Sequence, residues 1–268
     1  MSAEDNAGAM LRDIRCFLLD MDGTFYLGDR LIEGSLDFLE ALRRTGRQAL
    51  FLTNNSSKAA DTYLQKLARM GVTAPFLRVY TSGQAAGRHV LAAFPGQRAF
   101  LLGNEALRGE LEAMGVRIDN ESADYVLVGF DTTLDYAKMA RACDLVRAGL
   151  PYIATHPDFN CPTESGFIPD IGAIIAFIEA STGRRPDSIL GKPYRGIVDG
   201  AFAITGVAAE QTAMVGDRLY TDVATGVTFG MTAVLVLSGE ATRADAESSP
   251  VKPHLIFERL SDMIPYLL

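Results

Sequence analysis

Four short islands of sequence hold residues whose types and spacing could do chemistry. Asp20 and Asp22, in Asp20-Met21-Asp22-Gly23-Thr24, directly follow the apolar run Cys16–Leu19. Side chains at i and i+2 point the same way at a strand end, so the two carboxylates crowd one place; the alternative is a solvated loop with an Asp-Gly turn. Thr53-Asn54-Asn55-Ser56 lies between a strand-like run and a helical pattern. A hydroxyl and free N–H groups at a helix start can hold phosphate, and the same residue types also serve as plain N-caps. Lys192, in Gly191-Lys192-Pro193, could meet a phosphate as a point charge or be an ordinary surface lysine. Asp217 and Asp222, in Gly216-Asp217-Arg218-Leu219-Tyr220-Thr221-Asp222, place two more carboxylates after another apolar run, with Asp222 also open to a role as a helix cap.

The elements that must position these islands follow from the hydrophobic pattern. Short apolar runs at 16–19, 48–52, 79–81, 98–102, 125–128, 152–154, 189–190, 212–215, 232–237 and 255–257 read as strands. Between them lie helical patterns: 35–45, a helix capped by Ser57 and ended by Gly71, 105–114, 134–148, 171–181 and a closing helix at 260–268. Residues 156–169 read as a long irregular segment. Such alternation with short connections predicts an α/β fold with a parallel sheet covered by helices on both faces. All four islands sit just after the carboxyl end of an expected strand, the edge where open α/β sheets bind ligands. Two unit charges 4 Å apart repel by about 4 kcal/mol at an effective dielectric of 20. Several such pairs would exceed the spare stability of a domain, so the cluster calls for a cation. Oxygen ligands beside a phosphate suit Mg²⁺.

Composition narrows the setting. The chain has 268 residues, 25 Lys+Arg against 33 Asp+Glu, a formal charge of −8 and 48% apolar residues. These values fit a globular protein and exclude disorder. Without a basic excess to displace counterions, a nucleic-acid polymer is not an expected partner. Cys16, Cys143 and Cys161 lie far apart, with no disulfide or zinc pattern, which suits a reducing cytoplasm. The opening MSAEDNAGAM lacks a basic region and an apolar core, so it does not read as a signal peptide. No apolar stretch is long enough to span a bilayer.

The four islands, in order, resemble the motifs of the haloacid dehalogenase-like (HAD) phosphohydrolases, and most of all their IIA branch of NagD-like and p-nitrophenyl-phosphatase-like enzymes. DMDGT is similar to the DxDGT/V motif, TNNSS to the second motif, GKP to the lysine motif and GDRLYTD to GDxxxTD. The resemblance implies a Rossmann-like three-layer parallel-sheet core with an inserted α/β cap of type C2. It implies Asp20 as the nucleophile that forms an aspartyl-phosphate, and Asp22 as general acid and then base. It implies Mg²⁺ held by Asp20, the main-chain carbonyl of Asp22 and Asp217, with Asp222 supporting through water or from behind. Thr53, Asn54, Asn55 and Lys192 would hold the phosphoryl group of a small phosphate ester.

Spacing places the insertion between the strand near Thr81 and that near Leu190, giving a core of 1–82 plus 186–268 and a cap of 83–185. The segment 155–172, with its long loop, is the expected specificity region. There the branch commonly has N-P-D or T-x-P-D, as in Thr155-His156-Pro157-Asp158 of this chain, and later P-G-x-G or P-A-x-G, whereas this chain has Pro169-Asp170-Ile171-Gly172, with Asp170 in place of a small neutral residue. His156, Asp158 and Asp170 are therefore candidates for selecting the leaving group, against the reading that Asp170 caps the following helix. Caps of this branch often mediate dimers, which leaves a homodimer open. A phosphotransferase of the same fold and a non-hydrolytic phospho-acceptor signalling domain are the competing functions.

Overall fold

Every residue of Cys16–Leu19 is buried, because the strand lies in the middle of a sheet covered on both faces. In the computed structural model, which describes residues 3–163 and 166–268, this sheet has six strands. Their order is Leu255–Phe257, Thr232–Val236, Thr212–Gly216, Cys16–Leu19, Gln48–Thr53, Val79–Thr81. The pairings of Cys16–Leu19 are parallel on both sides, Leu19 matching Val215 on one and Phe51 on the other. Continuous apolar strands of this kind require helices on both faces. Phe17 packs edge-on against Phe38 of the helix Ser35–Arg44, with ring centroids 5.4 Å apart. Burying each such side chain contributes about 1.5–3 kcal/mol.

This sheet belongs to the first of two compact units: residues up to Leu52, Leu64–Tyr80 and Val198–Leu268. The second comprises Thr53–Tyr63 and Thr81–Ile197. Its own five-stranded sheet runs Ser188–Ile189, Tyr152–Ala154, Tyr125–Val128, Arg98–Leu102, Arg117–Ile118, again with parallel pairings. Phe100, Val126, Met139, Ile174 and Ile178 are among the buried residues that join that sheet to the helices Tyr136–Arg147 and Ile171–Thr182. Local chemistry fixes the helix starts. Thr81 and Gln84 form a capping box, and Asn104, Asp135 and Asp170 each accept an N–H of the helix they precede.

The expected insertion, 83–185, is shorter than the second unit, which extends to Thr81 and Ile197 and takes in Thr53–Tyr63. The reason is hydrogen bonding: the Asn54 side chain is tied to Asp158 and to the main chain of Lys192. Three local expectations change, and the opening segment, for which the sequence offered no element, gains one. Ala3–Arg12 is a helix, with Ala7 and Leu11 buried one turn apart. The segment expected to be irregular contains an antiparallel hairpin, Asn160–Thr163 with Gly166–Pro169; Glu164 and Ser165 of that segment, like Met1 and Ser2 of the opening, lie outside the described residues. The helix expected from Ser57 begins at Ala60, whose N–H goes to Glu110 Oε1 at 2.7 Å. The closing segment Leu260–Tyr266 is a 3₁₀ helix containing Pro265, which removes a donor that an α-helix would need.

Candidate active site

The first unit gathers the carboxylates. Asp20 follows its strand directly, and its N–H continues the ladder to Val215 O at 2.9 Å. Asp20, Asp217 and Asp222 each offer a carboxylate oxygen within 4.8 Å of the others, and Asp217 and Asp222 are buried. The segment after Gly216 turns through the π-helical Leu219–Val223, a deviation that carries Asp222 back toward its strand. There Asp222 Oδ2 accepts the Arg218 N–H at 3.1 Å. Asp217 Oδ2 accepts the Glu240 N–H at 2.7 Å. Asp217 Oδ1, by contrast, is buried with no hydrogen-bond partner among the described residues. Gly23 leaves room for that carboxylate: its φ is +85°, and a Cβ there would collide with Asp217 Oδ2.

The electrostatics match this crowding. Burial, then the charges of Asp20 and Asp222, push the Asp217 carboxyl far above the ordinary carboxylate range, against the pull of Arg218 and the Glu240 N–H. Asp22 is half-buried, and burial followed by the Asp20 charge raises its carboxyl too, opposed by Lys66, Arg218 and the Gly28 N–H. A buried carboxylate oxygen with no donor, next to two further carboxylates, is the donor set of a hard divalent cation. The residues therefore fit a metal: Asp20, Asp217 and Asp222 can face it. A carboxyl whose pKa is raised in this way is suited to general-acid work.

The second unit gathers the neutral and basic candidates. Thr53 is the last residue of its strand, and its Oγ1 accepts the Asn55 N–H at 3.2 Å. Asn55 Oδ1 accepts both the N–H and the hydroxyl of Ser57, which shapes the loop after the strand. Asn54 Oδ1 accepts the Lys192 N–H at 2.7 Å, and Asn54 Nδ2 donates to Lys192 O at 3.0 Å. The two segments, 138 residues apart, are thereby fixed to one another. Lys192 is 2% exposed.

His156, Asp158 and Asp170 also come together, all three buried. Asp170 Oδ1 accepts the Ile171 N–H at 2.6 Å as the cap of its helix and lies 3.1 Å from His156 Nε2. Both carboxylate oxygens of Asp158 lie 3.2 Å from Asn54 Nδ2. These contacts occupy the three side chains internally. The exposed side chains near them are Phe159, Phe167 and Ile168, at and on the hairpin. The contacts by which Thr155, Ser56 and Ser82 link His156 to the loop after Thr53 escape sequence reasoning. Nothing local marks them, since their partners are up to 99 residues away.

Comparison with known proteins agrees with this geometry. Residues 17–117 match the family described as haloacid dehalogenase-like hydrolase, and residues 189–263 match a HAD-hydrolase-like family. The chain is 32% identical to 5′-nucleotidase YutF of Bacillus subtilis, over 96% of its own length and 100% of that protein. It is 36% identical to an acid sugar phosphatase of Staphylococcus aureus, over 96% and 99%. Among solved structures, the 4-nitrophenylphosphatase of Thermotoga maritima superposes with a TM-score of 0.93 at 49% identity, covering 97% of this chain and 99% of that one. A glycerol phosphate phosphatase of Mycobacterium tuberculosis, solved in complex with calcium, gives 0.86 at 32% identity, covering 95% and 76%.

Proposed function

The chain belongs to the haloacid dehalogenase-like hydrolases, and on that premise we propose that it is a Mg²⁺-dependent phosphatase of small phosphate monoesters acting through an aspartyl-phosphate on Asp20. The relatives named above as phosphatases and a 5′-nucleotidase support the reaction class. The observation that carries the reading is the orphaned Asp217 Oδ1 within the cluster Asp20, Asp217 and Asp222. Mg²⁺, when bound, offsets the carboxylate charges and the negative charge of the phosphate.

The residues then divide the work. An oxygen of Asp20 attacks phosphorus while the bond from phosphorus to the leaving oxygen breaks. Asp22 gives its proton to that oxygen, releasing an alcohol. Asp22, now a carboxylate, takes a proton from water as the water oxygen attacks the phosphorus of the acyl-phosphate. The bond from phosphorus to Asp20 breaks, which restores the carboxylate and frees phosphate. Splitting hydrolysis this way replaces one difficult displacement by two easier ones. Lys192, Thr53, Asn55 and the main chain of Asn54 would hold the phosphoryl oxygens through both steps, so that catalysis rests on position and charge. Burial and the Asp20 charge raise the Asp22 carboxyl, the direction a general acid needs.

Residues 83–185 are proposed as a cap whose work is to exclude water from the reaction. Phe159, Phe167 and Ile168 offer apolar surface to a leaving group. The decisive experiment is turnover of p-nitrophenyl phosphate with Mg²⁺. Multiple turnovers that stop on chelation and in Asp20→Asn are expected. A single stoichiometric phosphorylation without turnover would replace this reading with a phospho-acceptor.

A further inference from the structure

We propose that His156 and Asp158 are positioning residues for phosphate: they hold Asn54, and through it Lys192, in the geometry that grips the phosphoryl group. The proposal rests on the phosphatase reading above for the role of Lys192 and the Asn54 main chain.

A departure from the family pattern meets, in space, the variable position of a segment that keeps it. His156 stands in the N-P-D or T-x-P-D segment, and Asp170 replaces a small neutral residue; their side chains are hydrogen-bonded at 3.1 Å, 0% and 3% exposed. Asp170 is itself fixed by capping its helix at Ile171, so it is a rigid anchor. On the other ring nitrogen, His156 Nδ1 lies 3.0 Å from Thr155 Oγ1 and 3.4 Å from Ser82 Oγ. Thr155 Oγ1 is 2.9 Å from Ser56 Oγ, and Ser82 donates its hydroxyl to Asn54 O. A continuous path of hydrogen bonds thus runs from the anchored carboxylate to the loop after Thr53.

Asp158 acts on the same target from its side chain. Its carboxylate receives Asn54 Nδ2, whose other donor goes to Lys192 O, while Asn54 Oδ1 takes the Lys192 N–H. Both ends of the amide are engaged, the oxygen by an N–H and the NH₂ by acceptors, which fixes both its rotamer and its flip state. Gly191 completes the fit: a Cβ there would stand 2.6 Å from both Asn54 Oδ1 and His156 Cβ. Rotamers locked by packing and hydrogen bonds are what a binding group needs to be held within about 0.5 Å of productive geometry. The three residues could also suggest a second metal site. The Asp158 carboxylate and Asp170 Oδ1 already have amide, imidazole and N–H partners, however, and among the described residues no side-chain atom of the three is buried without a hydrogen-bond partner as Asp217 Oδ1 is.

The test compares wild type with Asp158→Ala and His156→Ala, using inorganic phosphate as the probe. Phosphate is measured both as a competitive inhibitor of p-nitrophenyl phosphate turnover and, without turnover, by its thermal stabilisation of the protein. In folded variants the phosphate Ki and the KM are expected to rise together by tenfold or more. kcat should change less than threefold, and the Mg²⁺ half-saturation should stay within twofold. A stabilising role alone would not move Ki, so a Ki within twofold of wild type in a folded variant overturns the proposal. Where an alanine variant fails to fold, Asp158→Asn, which keeps one acceptor, is expected to show a threefold to tenfold rise, and an unchanged Ki again overturns it. A wild type that binds phosphate without turning over the ester defeats the phosphatase reading and leaves the positioning role to be judged on binding.

Discussion

Two buried acidic clusters of similar make-up reach opposite solutions to the same electrostatic problem. Asp20, Asp217 and Asp222 in the first unit leave a buried oxygen without a donor among the described residues and hold Asp217 in a state that resists ionisation. In the second unit the Asp158 carboxylate meets a side-chain amide, and Asp170 Oδ1 meets both the His156 imidazole and a helix N–H. The difference teaches how to tell a working cluster from a supporting one. Unmet need, rather than acidity, marks the place where a cation and a reacting group enter, because a fold does not leave a buried oxygen unpaired without cause.

The comparison can be broken in several ways. The largest effect expected is on turnover: Asp20→Asn should lower kcat for p-nitrophenyl phosphate by about 10⁴-fold or more, as losing a nucleophile does, with the far-ultraviolet circular dichroism unchanged. Next comes stability in the second cluster. Removing His156 takes one hydrogen bond from the buried Asp170 and leaves a void, so His156→Ala should cost about 1–3 kcal/mol in urea unfolding, equally with Mg²⁺ and with EDTA. Metal should discriminate the clusters in the other direction. Mg²⁺ at a hundred times its Kd should stabilise wild type by about 2.7 kcal/mol, and Asp217→Asn should abolish most of that gain.

The pH response sharpens the contrast. In the unfolded chain Asp217 titrates near 3.8, whereas burial, Asp20 and Asp222 push it up to about 8 in the fold. Between those values the folded form keeps a proton that the unfolded form has released. Metal-free protein should therefore lose stability as pH rises through that window, and Asp217→Asn should flatten the slope of midpoint against pH. The smallest effect belongs to exposed charge: Glu179→Ala breaks the surface pair with Arg185 and should leave the urea midpoint within error.

Much of this was legible in the chain, for identifiable reasons. Strands such as Cys16–Leu19 and Thr232–Val236 are covered on both faces and so announce themselves as apolar runs. The four islands are contiguous motifs, and their local order carries the first cluster. The hairpin Asn160–Thr163 with Gly166–Pro169 was illegible because its residues are largely exposed, which erases the alternation that marks a half-buried strand. The His156–Asp170 bond was illegible for a different reason. Each residue has an adequate local explanation, and only the folded chain reveals that the helix cap and the histidine share one carboxylate oxygen.

The central position of Cys16–Leu19 also has a temporal meaning. One of its two neighbours, Gln48–Thr53, follows soon in the chain, but the other, Thr212–Gly216, comes nearly two hundred residues later. At about 5–20 residues per second, a nascent chain leaves that side of the strand unpaired for roughly 10–40 s. Residues Thr81–Ile197, which hold most of the second unit, emerge during that interval. The sheet that carries Asp20 is thus among the last parts of the molecule to be sealed, and its waiting apolar edge is where a ribosome-bound intermediate would need protection.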